Sequence, residues 1–344
     1  MIAVPAFRGV LAALASLASL ASLVFALVPA LALVPGPAAA QAGKASWPKN
    51  LTVGTGSVGG TYFVYGQVWA SLANEKLGTN ISTQQTQGPN QNIILTDSKQ
   101  IELGMVTMGI ALQAWEGTGE WTKGQKYRNF RATFPMYDTP FHFIALEKSG
   151  IRSVKDIAGK RAGIGPRAGT CGTYFPLMFK ALGIDATIRN GQASDMAASL
   201  QDGLIDVFPF CAGLPIAAFS ELETTNKVTF FAYTDDEIKR LKAALPELSD
   251  SLIPKNTYKQ QTADQRTVGV YNFGIAHKDV AEDLVYGIVK AVLDNNPAMV
   301  KGHAAAKETL AENWNRNTFL PFHPGAIRYY REKGINLPAN LTAQ

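Results

Sequence analysis

The sequence predicts an α/β protein of two similar lobes, the second inserted into the first, with a ligand cleft between them. Apolar segments of strand length alternate with amphipathic helical segments, which favours a parallel α/β sheet. The four-residue signature Gly-Thr-Tyr-Phe occurs twice, at residues 60–63 and 172–175, each time at the end of a glycine-rich loop. Two apolar segments, 141–146 and 268–276, are expected to be crossover strands that form a hinge between the lobes.

The N-terminus, residues 1–42, predicts a cleaved export signal. Residues 10–34 are almost entirely Ala, Leu, Ser and Val, and the small residues that follow fit cleavage after Ala40 or after Ala42. An uncleaved membrane anchor is the alternative, because the apolar run is long for a signal. Pro35 would interrupt the helix that an anchor needs. We therefore expect a mature protein in the periplasm.

The segment order also predicts the boundaries of the lobes. Lobe one is expected to comprise residues 43–145 together with 266–344, and lobe two to comprise residues 146–265. Each lobe contains a short apolar strand followed by a glycine-rich loop and the start of a helix. The polar stretch 246–266 is expected to be an irregular excursion on the surface. A chain of 344 residues is long enough for two domains.

Composition and charge exclude several classes of protein. The formal net charge is +5, and the lysines and arginines form no basic run, so no nucleic-acid interface is expected. The histidines lack the short spacing of metal ligands, so no metal site is expected. They are His142, His277, His303 and His323. We expect a monomer that needs no cofactor.

The two glycine-rich loops predict an anion site. The start of a helix leaves backbone N–H groups unpaired at its positive end, which suits a negative charge. Glycines let this backbone come close to a ligand. Residues 54–59 also match the dinucleotide fingerprint Gly-x-Gly-x-x-Gly, which requires an acidic residue after the second strand to hold a ribose. That strand ends in Gln84 and Gln85, so a small anion is preferred to a nucleotide.

The candidate ligand-binding residues lie in the two loops and near the ends of neighbouring strands. Tyr62 either lines the cleft or packs in the core. Arg167 either grips a carboxylate through two parallel hydrogen bonds or is an exposed loop residue. Met108 and Phe210 are expected to contribute an apolar wall. The full set is Gly56, Ser57, Gly60, Thr61, Tyr62, Thr107, Met108, Arg167, Thr170, Cys171, Gly172, Thr173, Phe210 and Gly213.

The chain has two cysteines, Cys171 in the second glycine-rich loop and Cys211 after an apolar strand. If the strands that precede them are neighbours in one sheet, both cysteines lie at the same edge and can form a disulfide after export. Two separate thiols are the alternative. A free Cys171 at a helix N-terminus would have a lowered pKa and could act as a nucleophile, so a periplasmic thiol enzyme remains a second possibility.

The residues around the first loop carry a family resemblance. The run Val-Gly-Thr-Gly-Ser-Val-Gly-Gly-Thr-Tyr at residues 53–62, followed by Gly66 and Gln67, resembles the TAXI-type solute-binding proteins of TRAP transporters. Further matches follow in the same order, and the resemblance covers residues 51–295. These matches lie at residues 103–106, 111–117, 153–161 and 200–206.

The resemblance implies a two-lobed, type II-like periplasmic binding protein rather than an enzyme. Such a protein captures a small organic anion, often a carboxylate or an amino acid, and delivers it to an ion-driven TRAP permease. Thr107 and Met108 replace a Gln-Ser or Gln-Asn pair that helps to read the ligand in this family, which argues against an amino acid. The second loop, with Arg167 and Cys171, is also unlike the shorter family form. A ligand-binding sensor subunit that feeds a histidine kinase is the alternative role for this fold.

Overall fold

The computed structural model describes residues 47–343, and the predicted export signal lies outside this range. Strands and helices alternate as the sequence predicts. The strands are β1 (Leu51–Gly54), β2 (Ile81–Gln84), β3 (Leu103–Thr107), β4 (Phe130–Leu146), β5 (Arg161–Gly163), β6 (Thr187–Arg189), β7 (Phe208–Cys211), β8 (Val228–Phe231), β9 (Ser249–Ile253) and β10 (Gln265–His277). The α-helices are α1 (Thr61–Leu77), α2 (Pro89–Asp97), α3 (Met108–Glu116), α4 (Thr170–Leu182), α5 (Ala193–Gln201), α6 (Ala217–Thr225), α7 (Asp235–Ala244), α8 (Glu282–Leu293), α9 (Asn296–Gly302), α10 (Pro324–Glu332) and α11 (Ala339–Thr342).

A mixed sheet runs through both lobes in the order β2-β1-β3-β10-β4-β7, with β8 paired to β4 and β9 paired to β10. Strand β1 is parallel to β2 and β3. Strand β10 is antiparallel to β3, β4 and β9, and β4 is antiparallel to β7 and β8. The expectation of a parallel sheet is therefore wrong for β4 and β10, because these two strands carry the chain between the lobes in opposite directions.

The two crossover strands are longer than the sequence indicates. Strand β4 pairs with β10 through residues 130–140 and with β7 and β8 through residues 141–146, so one continuous strand passes from lobe one to lobe two. Strand β10 pairs with β9 near its start and with β3 near its end. These two strands make the predicted hinge, and they bring the C-terminal part of the chain back onto lobe one.

Three segments differ from the sequence prediction. The stretch 246–266 contains the edge strand β9, in which Asp250 and Leu252 face solvent and the alternate residues Ser249, Ser251 and Ile253 are partly or fully buried. Residues 299–310 are divided between α9 and the 3₁₀ helix Ala304–Glu308 instead of forming one helix. Helix α3, which follows β3 directly, was not predicted. In the described range no helix combines the length and apolar character needed to cross a membrane.

Aromatic side chains on β4 anchor the two helices that follow the glycine-rich loops. In lobe one, Tyr65 of α1 meets the ring of Tyr137 edge-on at 4.9 Å between centroids. In lobe two, Phe175 of α4 meets Phe143 in the same manner at 5.6 Å. All four side chains are fully buried. Such pairs add to the stabilisation that comes from area burial, so β4 fixes both helix starts relative to one strand.

The two lobes touch directly at the first glycine-rich loop. The backbone N–H of Ser194 donates to the carbonyl of Val58 at 3.2 Å, and that of Ala218 donates to the carbonyl of Gly59 at 3.1 Å. Gly59 has a φ of +82°, and a Cβ at this position would lie 2.9 Å from the Ser194 nitrogen. Glycine is therefore required there for both conformation and space. These hydrogen bonds join the first glycine-rich loop to residues of lobe two.

Candidate ligand-binding site

A cavity of about 60 Å³ lies between the two glycine-rich loops. A single water molecule needs about 10–15 Å³ of such space, so the cavity has room for a small organic molecule. Its wall comes from both lobes and from the crossover strands. The lining residues are Gly56, Ser57, Gly60, Thr61, Tyr62, Gln87, Gly88, Pro89, Thr107, Thr139, Pro166, Gly169, Thr170, Cys171, Phe210, Cys211, Ala212 and Asn272.

Four helices begin at this cavity. The residues that precede α1, α2, α3 and α4 are Gly60, Gly88, Thr107 and Gly169, and all four line the wall. None of their side chains accepts a hydrogen bond from the helix that follows. The first N–H groups of a helix have no partner within it, and its N-terminus carries roughly half a positive charge. The backbone alone therefore makes the cavity attractive to an anion.

The wall of the cavity carries no formal charge. Among the described residues that line it, none is Asp, Glu, Lys, Arg or His. The phenol of Tyr62 is desolvated, which raises its pKa well above the usual value and keeps it neutral. Cys171 and Cys211 are joined in a disulfide and do not titrate. No charged side chain in the wall therefore offsets the positive ends of the four helices.

Buried side chains in the wall form two hydrogen-bonded groups. The hydroxyl oxygens of Thr107 and Thr170 lie 3.0 Å apart, so one donates to the other and one hydroxyl proton remains free. The Tyr62 hydroxyl donates to Oδ1 of Asn272 at 2.6 Å, and Nδ2 of Asn272 donates to the Thr139 hydroxyl at 2.7 Å. Thr139 therefore keeps its own proton for another acceptor. Both groups offer O–H donors in a buried setting.

Residues 53–334 match the profile of the NMT1-like family. The chain belongs to the NMT1-like family. Among solved structures, it is similar to the periplasmic binding protein BugD, at 13% identity and a TM-score of 0.54, over 84% of this chain and 98% of that one. It is also similar to MatC from Rhodopseudomonas palustris with bound malate, at 13% identity and a TM-score of 0.53, over 84% and 97% of the two chains. The likeness confirms the predicted fold, that of type II-like periplasmic binding proteins.

The two copies of the Gly-Thr-Tyr-Phe signature in this NMT1-like chain are not structurally equivalent. Gly60 precedes α1 and Thr61 is its first residue. In lobe two, Gly169 precedes α4 and Thr170 is its first residue, two positions before the second signature begins. The counterpart of Thr61 is therefore Thr170 and not Thr173. Each copy of the signature lies at the start of a helix, but the two copies lie at different positions relative to the first helical residue.

Residues of the second signature support the loop from behind. The Thr173 hydroxyl donates to the Gly169 carbonyl at 3.0 Å and does not line the cavity. A Cβ on Gly172 would lie 2.1 Å from the carbonyl oxygen of Pro166, so a glycine is needed where the loop folds against α4. These two residues shape the loop and do not face a ligand in this arrangement.

Nine of the fourteen candidate residues line the cavity and five do not. Tyr62 was predicted either to line the cleft or to pack in the core. It lines the wall and also packs edge-on against Tyr137. Met108 is buried at the start of α3, and Arg167 is exposed on its loop. The carbonyl of Gly213 accepts the Thr61 hydroxyl across the cleft. The five outside the wall are Met108, Arg167, Gly172, Thr173 and Gly213, and the nine within it are Gly56, Ser57, Gly60, Thr61, Tyr62, Thr107, Thr170, Cys171 and Phe210.

Sequence reasoning missed half of the wall. The pair Gly88-Pro89 carries a recognisable signal, because proline is favoured at the first position of a helix. Thr139 and Asn272 carry no local signal, since they meet only through the pairing of β4 with β10. The lining residues that were not predicted as ligand-binding are Gln87, Gly88, Pro89, Thr139, Pro166, Gly169, Cys211, Ala212 and Asn272.

The disulfide between Cys171 and Cys211 forms part of the wall. The strands before the two cysteines are neighbours, because Ala162 and Val207 form a parallel β-bridge. This is the arrangement expected for a disulfide between the two cysteines. Cys171 is the second residue of α4 and not a loop residue, because the helix begins earlier than predicted. The bond ties the start of α4 to the end of β7. It also leaves Cys171 without the thiol that a nucleophile needs.

Proposed function

We propose that this chain is a periplasmic solute-binding protein that captures a small organic anion, a carboxylate, and delivers it to a TRAP-type membrane permease. The observation that carries the proposal is the convergence of four uncapped helix N-termini on an uncharged cavity. Burying a carboxylate is costly unless hydrogen bonds replace its water. Backbone N–H groups and the free protons of the threonine hydroxyls supply such bonds here.

The ligand cleft lies between the lobes proposed above, 43–145 with 266–344 and 146–265. Helices α1, α2 and α3 approach the cavity from lobe one, and α4 approaches it from lobe two. An anion held by both sides favours the closed arrangement, because opening the cleft would separate it from part of its donors. The permease would then recognise the closed form. We propose that the mature protein is exported and works as a monomer.

Two likenesses support this assignment. The residues at 53–62 that resemble TAXI-type proteins build the first loop and the start of α1. MatC, whose fold is similar, holds malate, which is a dicarboxylate. Binding without catalysis fits a wall that has neither an acid–base pair nor a free thiol. Within residues 47–343, no group of three or more His, Cys, Asp or Glu side chains is arranged to hold a metal ion.

Removing the threonine hydroxyls of the wall tests the proposed site. The double variant Thr107→Val with Thr170→Val keeps the side-chain shape and removes the O–H donors of this pair, while the hydroxyls of Thr61 and Thr139 remain. A hydrogen bond to a charged group contributes about 1.5–3 kcal/mol, so we expect affinity to fall roughly 10- to 150-fold. A thermal-shift screen of organic acids would identify a ligand, and calorimetric titration would measure its affinity. Thr187→Val, at an exposed position outside the cavity wall, is the matched control and should change affinity little. If both variants lose affinity to the same extent, the ligand does not bind in this cavity.

Arg167 is expected to contribute little to binding. Its side chain is exposed on the loop and lies outside the wall, so solvent screens its charge from the cavity. We expect Arg167→Ala to leave the dissociation constant within about twofold of the unchanged protein. The same calorimetric titration measures this. A loss of tenfold or more would mean that the guanidinium reaches the bound carboxylate.

A further inference from the structure

We infer that the ligand of this cavity carries no ammonium group, so the site accepts compact hydroxy, oxo or unsubstituted carboxylic acids and rejects the corresponding amino acids. This inference rests on the proposed function, in which the cavity binds a carboxylate. It goes further because it states what the rest of the ligand is. Three features of the wall support it, namely its charge, its acceptors and its apolar face.

The first feature is charge. An ammonium group that enters a closed cavity loses its water and needs a carboxylate or several acceptors in return. No acidic residue belongs to the described wall, and four positive helix ends face the same space. Two acidic residues on elements near the cleft do not line it and are engaged elsewhere. Asp138 accepts the Ser251 hydroxyl, and Glu247 accepts the Tyr174 hydroxyl.

The second feature is the chemistry of the hydrogen-bonding groups in the wall. An ammonium group has three donors and no acceptor. Oδ1 of Asn272 already accepts from Tyr62, and Oε1 of Gln87 accepts from the backbone N–H of Ala168 at 3.3 Å. The Thr139 hydroxyl and the first N–H groups of the helices are donors that an oxygen-bearing ligand can use. The described wall offers these donors to carboxylate, hydroxyl and keto oxygens, but it offers an ammonium group no anionic acceptor.

The third feature is the apolar face of the cavity. Phe210 and the Cys171–Cys211 disulfide line it together. Their surfaces offer no strong acceptor. In a space of about 60 Å³, a second substituent of the ligand cannot lie far from these surfaces. A hydroxyl, keto or methyl group fits there at lower cost than a charged ammonium group.

Matched pairs of ligands test the inference directly. Thermal shift followed by calorimetry at neutral pH would compare lactate with alanine, malate with aspartate, and 2-oxoglutarate with glutamate, using the full mature protein. The members of each pair share the carbon skeleton and differ at one substituent. We expect at least one hydroxy or oxo acid to bind, and its amino acid partner to bind at least about 100-fold more weakly.

The outcomes separate this inference from the function on which it rests. If an amino acid binds as tightly as its hydroxy or oxo counterpart, the inference is wrong while the carboxylate site stands. If no member of any pair raises the melting temperature, the proposed carboxylate function is overturned and the inference with it. Binding of the acids alone, lost in the Thr107→Val with Thr170→Val variant, would support both.

Discussion

Replacing Asn272 with aspartate is expected to lower the affinity for the carboxylate ligand by roughly 100-fold or more at neutral pH. The two side chains have nearly the same shape, and the Tyr62 hydroxyl can donate to either of them. The substitution places a negative charge in a wall that otherwise has none. Like charges brought together at a buried site cost several kcal/mol. A cost of about 3 kcal/mol corresponds to the expected loss.

The pH dependence of ligand affinity in the Asn272→Asp variant gives a second test of the neutral wall. Burial raises the pKa of a carboxyl group, so the introduced group becomes protonated as the pH falls. Protonation removes the repulsion, and the affinity of Asn272→Asp should recover toward acid pH. In the unchanged protein, none of the described wall residues titrates near neutral pH, so its affinity for a fully ionised acid should stay nearly flat. Calorimetric titrations at several pH values would show the difference.

A matched control is available on the surface. Asn80→Asp makes the same chemical change at an exposed position outside the cavity, so it should leave affinity almost unchanged. The melting temperature of each variant without ligand shows whether its fold is intact, because Asn272 also donates to the carbonyl of Tyr137. If a folded Asn272→Asp protein binds the carboxylate like the unchanged protein, the ligand does not occupy this cavity.

Local sequence signals predicted the parts of the site that lie within one stretch of chain. The glycine-rich loops before α1 and α4, and the short strands before them, follow from residue type and spacing alone. Gly60, Thr61 and Thr170 were found in this way, and all three line the cavity. The repeated signature misled at Thr173, because a repeat of letters does not fix where a helix begins. That position depends on Gly169, the residue directly before the first residue of α4.

The remaining parts of the site depend on contacts that no local pattern encodes. Thr139 and Asn272 are separated by the whole of lobe two in the chain, and they meet because β10 returns antiparallel to β4. The same return explains why a parallel sheet was the wrong expectation. Alternation of strands and helices indicates layers, but it does not reveal the direction in which a crossover strand runs. The neutral wall also emerges only in three dimensions, since Arg167 lies close in sequence yet outside the cavity.

Removing the disulfide is expected to have a large effect on the stability of the protein. The bond closes a loop of 40 residues between Cys171 and Cys211. In the chain-entropy account, a cross-link of that length lowers the conformational entropy of the unfolded state and so raises its free energy by about 4 kcal/mol. We therefore expect the double variant Cys171→Ala with Cys211→Ala to lose stability of this order. For a chain of about 300 residues, the melting temperature should fall by roughly 6 °C.

Reductant separates this effect from the loss of two side chains in the core. A thiol reductant should lower the melting temperature of the unchanged protein toward that of the Cys171→Ala, Cys211→Ala variant, and should leave the variant itself unaffected. Because the bond ties the start of α4 to the end of β7, and both cysteines line the cavity, reduction should also weaken carboxylate binding. The loosened helix end must then be ordered at the expense of binding free energy. An unchanged protein that melts at the same temperature with and without reductant, and whose cysteines react with an alkylating reagent before reduction, would show that the two thiols are separate.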